Sequence, residues 1–197
     1  MRLAAWRPGK EHVLAYAAAD GEVALLDPDE RQILRRLAPS GRVVALGWTA
    51  DGERLAVLDQ EGLRVFGESG RVAVASVRLP DDVAATALAP RPGRRARDLA
   101  YAVFSRTTGV GSIFLLDGKS GTSKLLFSGA GRFDELVWSP TGRLLLVAWP
   151  AADQWIYLPP GGSEVVEVVP EVSRAPSAGG GAGVPVPVGW CCSRERR

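Results

Sequence analysis

The sequence predicts an all-β chain of the β-propeller type, with four recognisable four-stranded blades that make up part or all of a ring. Three observations predict it. A short pattern, in which a strand ending in Trp meets a Pro/Gly turn and then an apolar strand, recurs about every 40 residues, the length of one propeller blade. The strands after those turns are apolar on both faces, as in Leu144 to Trp149 and Leu55 to Leu58, where a surface hairpin would alternate. No stretch keeps helical periodicity over the ten or more residues that a helix needs.

The cleanest copy of the pattern is Val137-Trp138-Ser139-Pro140-Thr141-Gly142-Arg143. Pro140 presets φ at the second turn position and Gly142 accepts a left-handed conformation, so the chain reverses tightly there. Weaker copies lie at Gly47-Trp48-Thr49-Ala50-Asp51-Gly52, at Ala5-Trp6-Arg7-Pro8-Gly9 and, with Leu in place of Trp, at Ala87-Leu88-Ala89-Pro90-Arg91-Pro92-Gly93. Trp6, Trp48, Leu88 and Trp138 then mark the register, at intervals of 42, 40 and 50 residues.

Each interval holds four strands. The first unit, about 3–38, has strands over Leu3 to Trp6, His12 to Ala19, Glu22 to Asp27 and Ile33 to Leu37, with a hairpin signal at Asp20-Gly21. The second, 43–79, runs Val43 to Trp48, Arg54 to Leu58, Leu63 to Phe66 and Val72 to Leu79. The third, 83–127, runs Val83 to Leu88, Asp98 to Ser105, Ser112 to Asp117 and Ser123 to Phe127, with insertions at Arg91 to Arg97 and Arg106 to Gly111. The fourth, 134–169, runs Asp134 to Trp138, Arg143 to Trp149, Gln154 to Leu158 and Glu164 to Val169. The expected organisation is a repeat region over 1–172 and a Gly/Pro-rich tail over 173–197, which reads as a linker or a late-docking strand with Trp190 packed on the last unit.

Composition narrows the function. With 24 basic and 22 acidic residues the net charge is +2, too small to imply a nucleic-acid surface, and the arginines form no stripe with interleaved aromatics. No apolar run reaches the ~20 residues of a membrane helix, and Met1 to Tyr16 lacks the pattern of an export signal. His12 is the one histidine and no Gly-x-Ser-x-Gly elbow accompanies it, so no catalytic residue is expected. Cys191, Cys192 and His12 lack the spacing of a zinc site, and the adjacent cysteines read as structural or incidental thiols. Gly118-Lys119-Ser120 has Ile113 where a phosphate-binding loop needs Gly, and it sits between strands, so it reads as a hairpin turn and no cofactor is expected. Turn carboxylates such as Asp20, Asp27, Asp51 and Asp117 read as caps for their own backbone. Arg91, Arg94, Arg95 and Arg97 form the one dense basic loop, a candidate clamp for a phosphate or an acidic partner.

The Trp-Ser-Pro-Thr-Gly-Arg turn, the following apolar strand and the Asp-Gly or Glu-Gly hairpins together resemble the WD40-like repeat of bacterial TolB-type propellers, over residues 3 to about 169. The Trp-Asp dipeptide that closes the third strand in eukaryotic WD40 repeats is replaced by Leu26-Asp27 and Leu116-Asp117. The resemblance implies a non-catalytic scaffold that binds a protein or peptide through one loop face, with Trp6, Trp48, Trp138, Pro140 and Gly142 as structural repeat residues. The alternative is a ligand-sensing or carbohydrate-binding lobe of a larger envelope-anchored protein or enzyme, since the resemblance implies a periplasmic or envelope setting if a leading segment is missing. The resemblance implies a ring that usually closes with six or more blades. Four blades therefore imply a piece of a longer chain, self-association that completes the ring, or a tight four-blade closure.

Overall fold

Among the described residues sixteen strands fold into four antiparallel sheets, each made by four strands consecutive in the chain. The computed structural model describes residues 3–9, 12–67, 69–162, 165, 167–174, 185, 187 and 190. The first sheet contains β1 (Ala4–Trp6), β2 (Leu14–Ala17), β3 (Val23–Asp27) and β4 (Gln32–Leu37). The second contains β5 (Val43–Trp48), β6 (Leu55–Asp59), β7 (Gly62–Phe66) and β8 (Val72–Arg78). The third contains β9 (Val83–Pro90), β10 (Leu99–Ser105), β11 (Val110–Leu116) and β12 (Ser123–Ala130). The fourth contains β13 (Glu135–Trp138), β14 (Leu145–Trp149), β15 (Gln154–Leu158) and β16 (Glu167–Pro170). Among the described residues the only helical pieces are three single 3-10 turns.

Turn chemistry closes the hairpins. Asp20, Asp27, Asp51 and Asp117 each accept the backbone N–H two residues on, the Asx turn in which a short carboxylate stands in for a backbone acceptor. At the fourth sheet, Gly142 donates its N–H to the Ser139 carbonyl at 2.8 Å. The Ser139 hydroxyl accepts the N–H groups of Arg143 and Leu144.

The sheets stand side by side in chain order. The first strands are neighbours in the series β1, β5, β9 and β13, and nothing comparable joins β13 to β1 among the described residues. Three apolar cores fill the gaps between consecutive sheets. This is why the second strands are apolar on both faces: β6 is buried along its whole length and touches a core on either side.

The third sheet corrects the register read from the sequence. In sheets one, two and four the repeat Trp pairs across the ladder with a Leu: Trp6 with Leu14, Trp48 with Leu55 and Trp138 with Leu145. In sheet three the residue paired with the equivalent Leu99 is Pro90, not Leu88. β9 runs two residues beyond the expected end, and its last position tolerates Pro because a strand terminus can forgo a ladder N–H. The marks Trp6, Trp48, Pro90 and Trp138 are then spaced 42, 42 and 48 residues apart. Other boundaries move by a few residues; β2 begins at Leu14 rather than His12, and β12 extends to Ala130 through a bulge opposite Ile113 and Phe114.

The corrected register exposes a lock that recurs between sheets. Arg7 of sheet one donates Nε–H to the Gly52 carbonyl at 2.7 Å and holds its guanidinium 5.4 Å from the Trp48 ring. Trp48 in turn donates its indole N–H to the Ala5 carbonyl. Between sheets three and four Arg91 does the same to Gly142 at 2.9 Å and to the Trp138 ring at 5.1 Å, while Trp138 donates to the Ala89 carbonyl. Each lock is a cation–π contact plus two hydrogen bonds. Gly is required at both closing turns, because a Cβ on Gly52 or Gly142 would lie 2.4 Å from the carbonyl oxygen of Pro8 or Pro92.

Sheets two and three lack that lock. Pro90 replaces the Trp and packs where a Cβ on Gly47 would meet its ring at 2.9 Å. Ala50 donates its N–H to the Ala96 carbonyl, and Arg97 reaches back to Asp51 and Glu53.

Trp190 repeats half of the lock at the far end of the series. It donates its indole N–H to the carbonyl of Val137, one residue before Trp138, and stacks edge-on against Tyr157. That is the relation of Trp48 to Ala5 and of Trp138 to Ala89. Trp155 also donates to the Pro185 carbonyl. Cys191, Cys192 and most of the expected Gly/Pro-rich tail lie outside the described residues.

Candidate functional site

The basic loop leaves β9 and crosses one rim of the sheets through a 3-10 turn at Gly93–Arg95. Its neighbours on that rim are the turns Thr49 to Arg54, Ser139 to Leu144 and Asp117 to Thr122, which join first to second or third to fourth strands. Arg54 ties two of them together by donating to the Gly118 carbonyl at 2.6 Å.

The structure divides the four arginines into two pairs. Arg91 turns inward: besides the lock to Gly142 and Trp138, it forms an ion pair with Asp98 at 3.2 Å, both side chains largely buried. Arg97 reaches Asp51 at 2.8 Å and also Glu53. Arg91 and Arg97 therefore hold sheets together. Arg95 stands 3.6 Å from Asp117 with most of its side chain in solvent. Arg94 has no partner among the described residues and is exposed.

Around the exposed pair lies a depression of about 530 Å³, lined by Asp51, Arg94 to Asp98, Asp117 and Lys119. A second, of about 410 Å³, shares Arg95, Asp98 and Asp117 and extends to Lys124. Its Lys124 donates to the Gly161 carbonyl. Two of the chain's three lysines thus join Arg94 and Arg95 on one rim. The acidic members are already committed to the fold. Burial pushes the Asp51 carboxyl up, but hydrogen bonds from Thr49, Arg97 and the Glu53 N–H outweigh it and hold the group below its ordinary value. The N–H groups of Ser120 and Lys119 hold Asp117 low in the same way. The Asp51 and Glu53 carboxylates raise Arg97 above its ordinary value, with the Asp51 hydrogen bond the largest cause.

The structure is similar to the β-propeller domain of Cps50 (Swd1) from Myceliophteria thermophila, with a TM-score of 0.61 at 18% identity, over 84% of this chain and 58% of that one. The fold is a β-propeller. The propeller seen here spans less than two thirds of that relative's length. No family model and no curated protein matches the sequence.

The sequence marks Arg91, Arg94, Arg95 and Arg97 as one dense basic loop but does not divide its arginines. The signal was present: Arg7-Pro8-Gly9 and Arg91-Pro92-Gly93 are the same tripeptide, each standing before a following Trp and turn Gly. Of the repeat residues, Trp48 and Trp138 are buried between blades, Pro140 and Gly142 form the turn that receives Arg91, and Trp6 is 60% exposed. His12 lies on the surface, its Nδ1 2.7 Å from Asp29 and both side chains mostly exposed. No group of three or more His, Cys, Asp or Glu is gathered in metal-binding geometry among the described residues.

Proposed function

We propose that the chain is a non-catalytic interaction module of the TolB-like propeller type, which binds an acidic protein or peptide segment on the rim that carries Arg94, Arg95 and Lys119. The Trp138 to Arg143 turn supports the TolB-like reading within the propeller class. One observation carries the binding reading: Arg94 is exposed on a structured turn with no partner among the described residues, next to Arg95 and Lys119 over a shared depression, while the carboxylates beneath are engaged by the fold. A cluster of cations on a structured rim suits an acidic segment, because arginine offers forked donors that match carboxylates. In this reading residues 1–172 form the module and 173–197 its tail.

The test is fluorescence anisotropy of a labelled glutamate-rich decapeptide against the full chain and against Arg94→Glu/Arg95→Glu. The expected result is saturable, salt-sensitive binding that weakens at least about tenfold in the double variant, about 1.4 kcal/mol. Binding that is absent, or unchanged by the double substitution, refutes the assignment.

A further inference from the structure

The leading side of the first blade carries the residues that other blades bury against the blade before them. Ladder pairing puts Ala4, Trp6, Leu14, Tyr16 and Leu26 on one face. Their equivalents are Leu46, Trp48, Leu55, Val57 and Phe66 in blade two, and Leu136, Trp138, Leu145, Val147 and Leu158 in blade four. Each of those ten is at most 8% exposed. In blade one none of the five is buried, although Ala24, which pairs with Tyr16 on the same face, is, and the Trp6 indole has no hydrogen-bond partner among the described residues.

We propose that this Trp6 face is a docking surface for the trailing side of a further propeller blade with an Arg-Pro first turn. The two locks already in the molecule specify the partner's chemistry. It offers small aliphatic side chains in the positions that Val13, Ala15 and Val23 hold opposite Trp48. It offers a strand carbonyl for the Trp6 indole N–H and, two residues later, an Arg whose guanidinium covers the ring, as Ala5 with Arg7 and Ala89 with Arg91 do. A second copy of this chain is a poorer match, because its Arg7 and Arg91 are already engaged with Trp48 and Trp138. The surface is distinct from the basic rim, so either assignment can fail without the other.

The probe is a blade of known competence. Residues 83–132, which contain Arg91, are grafted before Met1 of the full chain, and the protein is labelled with 5-fluorotryptophan, with the Trp6 resonance assigned by Trp6→Phe. The graft is expected to abolish the H2O/D2O solvent shift of Trp6 and to raise Tm, and Arg91→Ala within the graft is expected to restore most of the solvent shift. A Trp6 resonance as solvent-exposed as in the parent chain, whether or not the graft folds, overturns the proposal. So does loss of the solvent shift in both grafts alike, which would remove the arginine from the recognition. Sedimentation equilibrium of the ungrafted chain supplies the remaining arm: a monomer is expected, and a dimer dissociated by Trp6→Glu would assign the face to a second copy and overturn the blade assignment.

Discussion

Replacing Arg91 with Ala tests the inter-blade lock most sharply. The change removes a charge-assisted hydrogen bond to Gly142 at 2.9 Å and a cation–π contact at 5.1 Å, and it strands Asp98. In isolation such a hydrogen bond contributes roughly 1.5–3 kcal/mol and the stacked guanidinium roughly 1–2 kcal/mol. Breaking a buried ion pair from one side costs about 3–5 kcal/mol. These terms overlap because one guanidinium makes all three contacts, and Asp98 keeps the Gly118 N–H at 3.3 Å. The net expectation is a loss of about 3–5 kcal/mol in urea unfolding, or a fall in Tm on the order of 10 °C for a chain of this size. Arg91→Lys keeps the charge without the planar fork and should lose about half as much. Arg94→Ala, three residues on, should stay within about 0.5 kcal/mol of the parent. Equal losses at Arg91 and Arg94, or an Arg91→Ala protein as stable as the parent, would refute the division of the basic loop.

Three further outcomes follow from the same geometry. Trp190→Ala should destabilise by about 2 kcal/mol, below the 3–5 kcal/mol of a fully buried Trp, and thermal unfolding with an unchanged midpoint would show that Trp190 does not close the fourth blade. Gly142→Ala should cost about 3 kcal/mol, because φ is 66° and the new Cβ meets the Pro92 carbonyl at 2.4 Å, whereas Gly109→Ala, at φ 69° with open space around it, should cost about 1 kcal/mol. Asp51 has a folded pKa below its unfolded one, so its stabilisation is present above the ordinary carboxylate value and disappears as pH falls through the folded value. Asp51→Asn should therefore flatten the stability profile below about pH 4, and an acid limb identical to the parent's would contradict the role given to the Arg97 bridge.

The propeller was legible because two signals agreed: a period near 40 residues, and second strands apolar on both faces. The register of the third blade was not. At position 90 Pro replaces Trp, and a reading that follows apolar identity settles on Leu88, two residues early. Only the ladder, or the repeated Arg-Pro-Gly, reveals the offset. The basic loop was visible as charge density, but density carries no direction. Arg91 and Arg97 face neighbouring blades while Arg94 faces solvent, a distinction created by contacts 44 to 51 residues away. Trp190 shares the dipeptide Gly-Trp with Gly47-Trp48, yet the surrounding Pro and Gly read as linker, so its equivalence to a repeat Trp emerges only from its bond to Val137.

Trp48 and Trp138 are each clamped by the blade before them, and among the described residues Trp6 alone of the three repeat tryptophans has no such clamp. Hydrogen exchange of the indole N–H groups, followed by NMR on the full chain, tests that directly. Trp48 and Trp138 should exchange only on unfolding, because their N–H groups are bonded to Ala5 and Ala89 inside the inter-blade cores, while Trp6 should exchange at the rate of free indole. Protection of Trp6 equal to that of Trp48, or rapid exchange at Trp138, would contradict the arrangement.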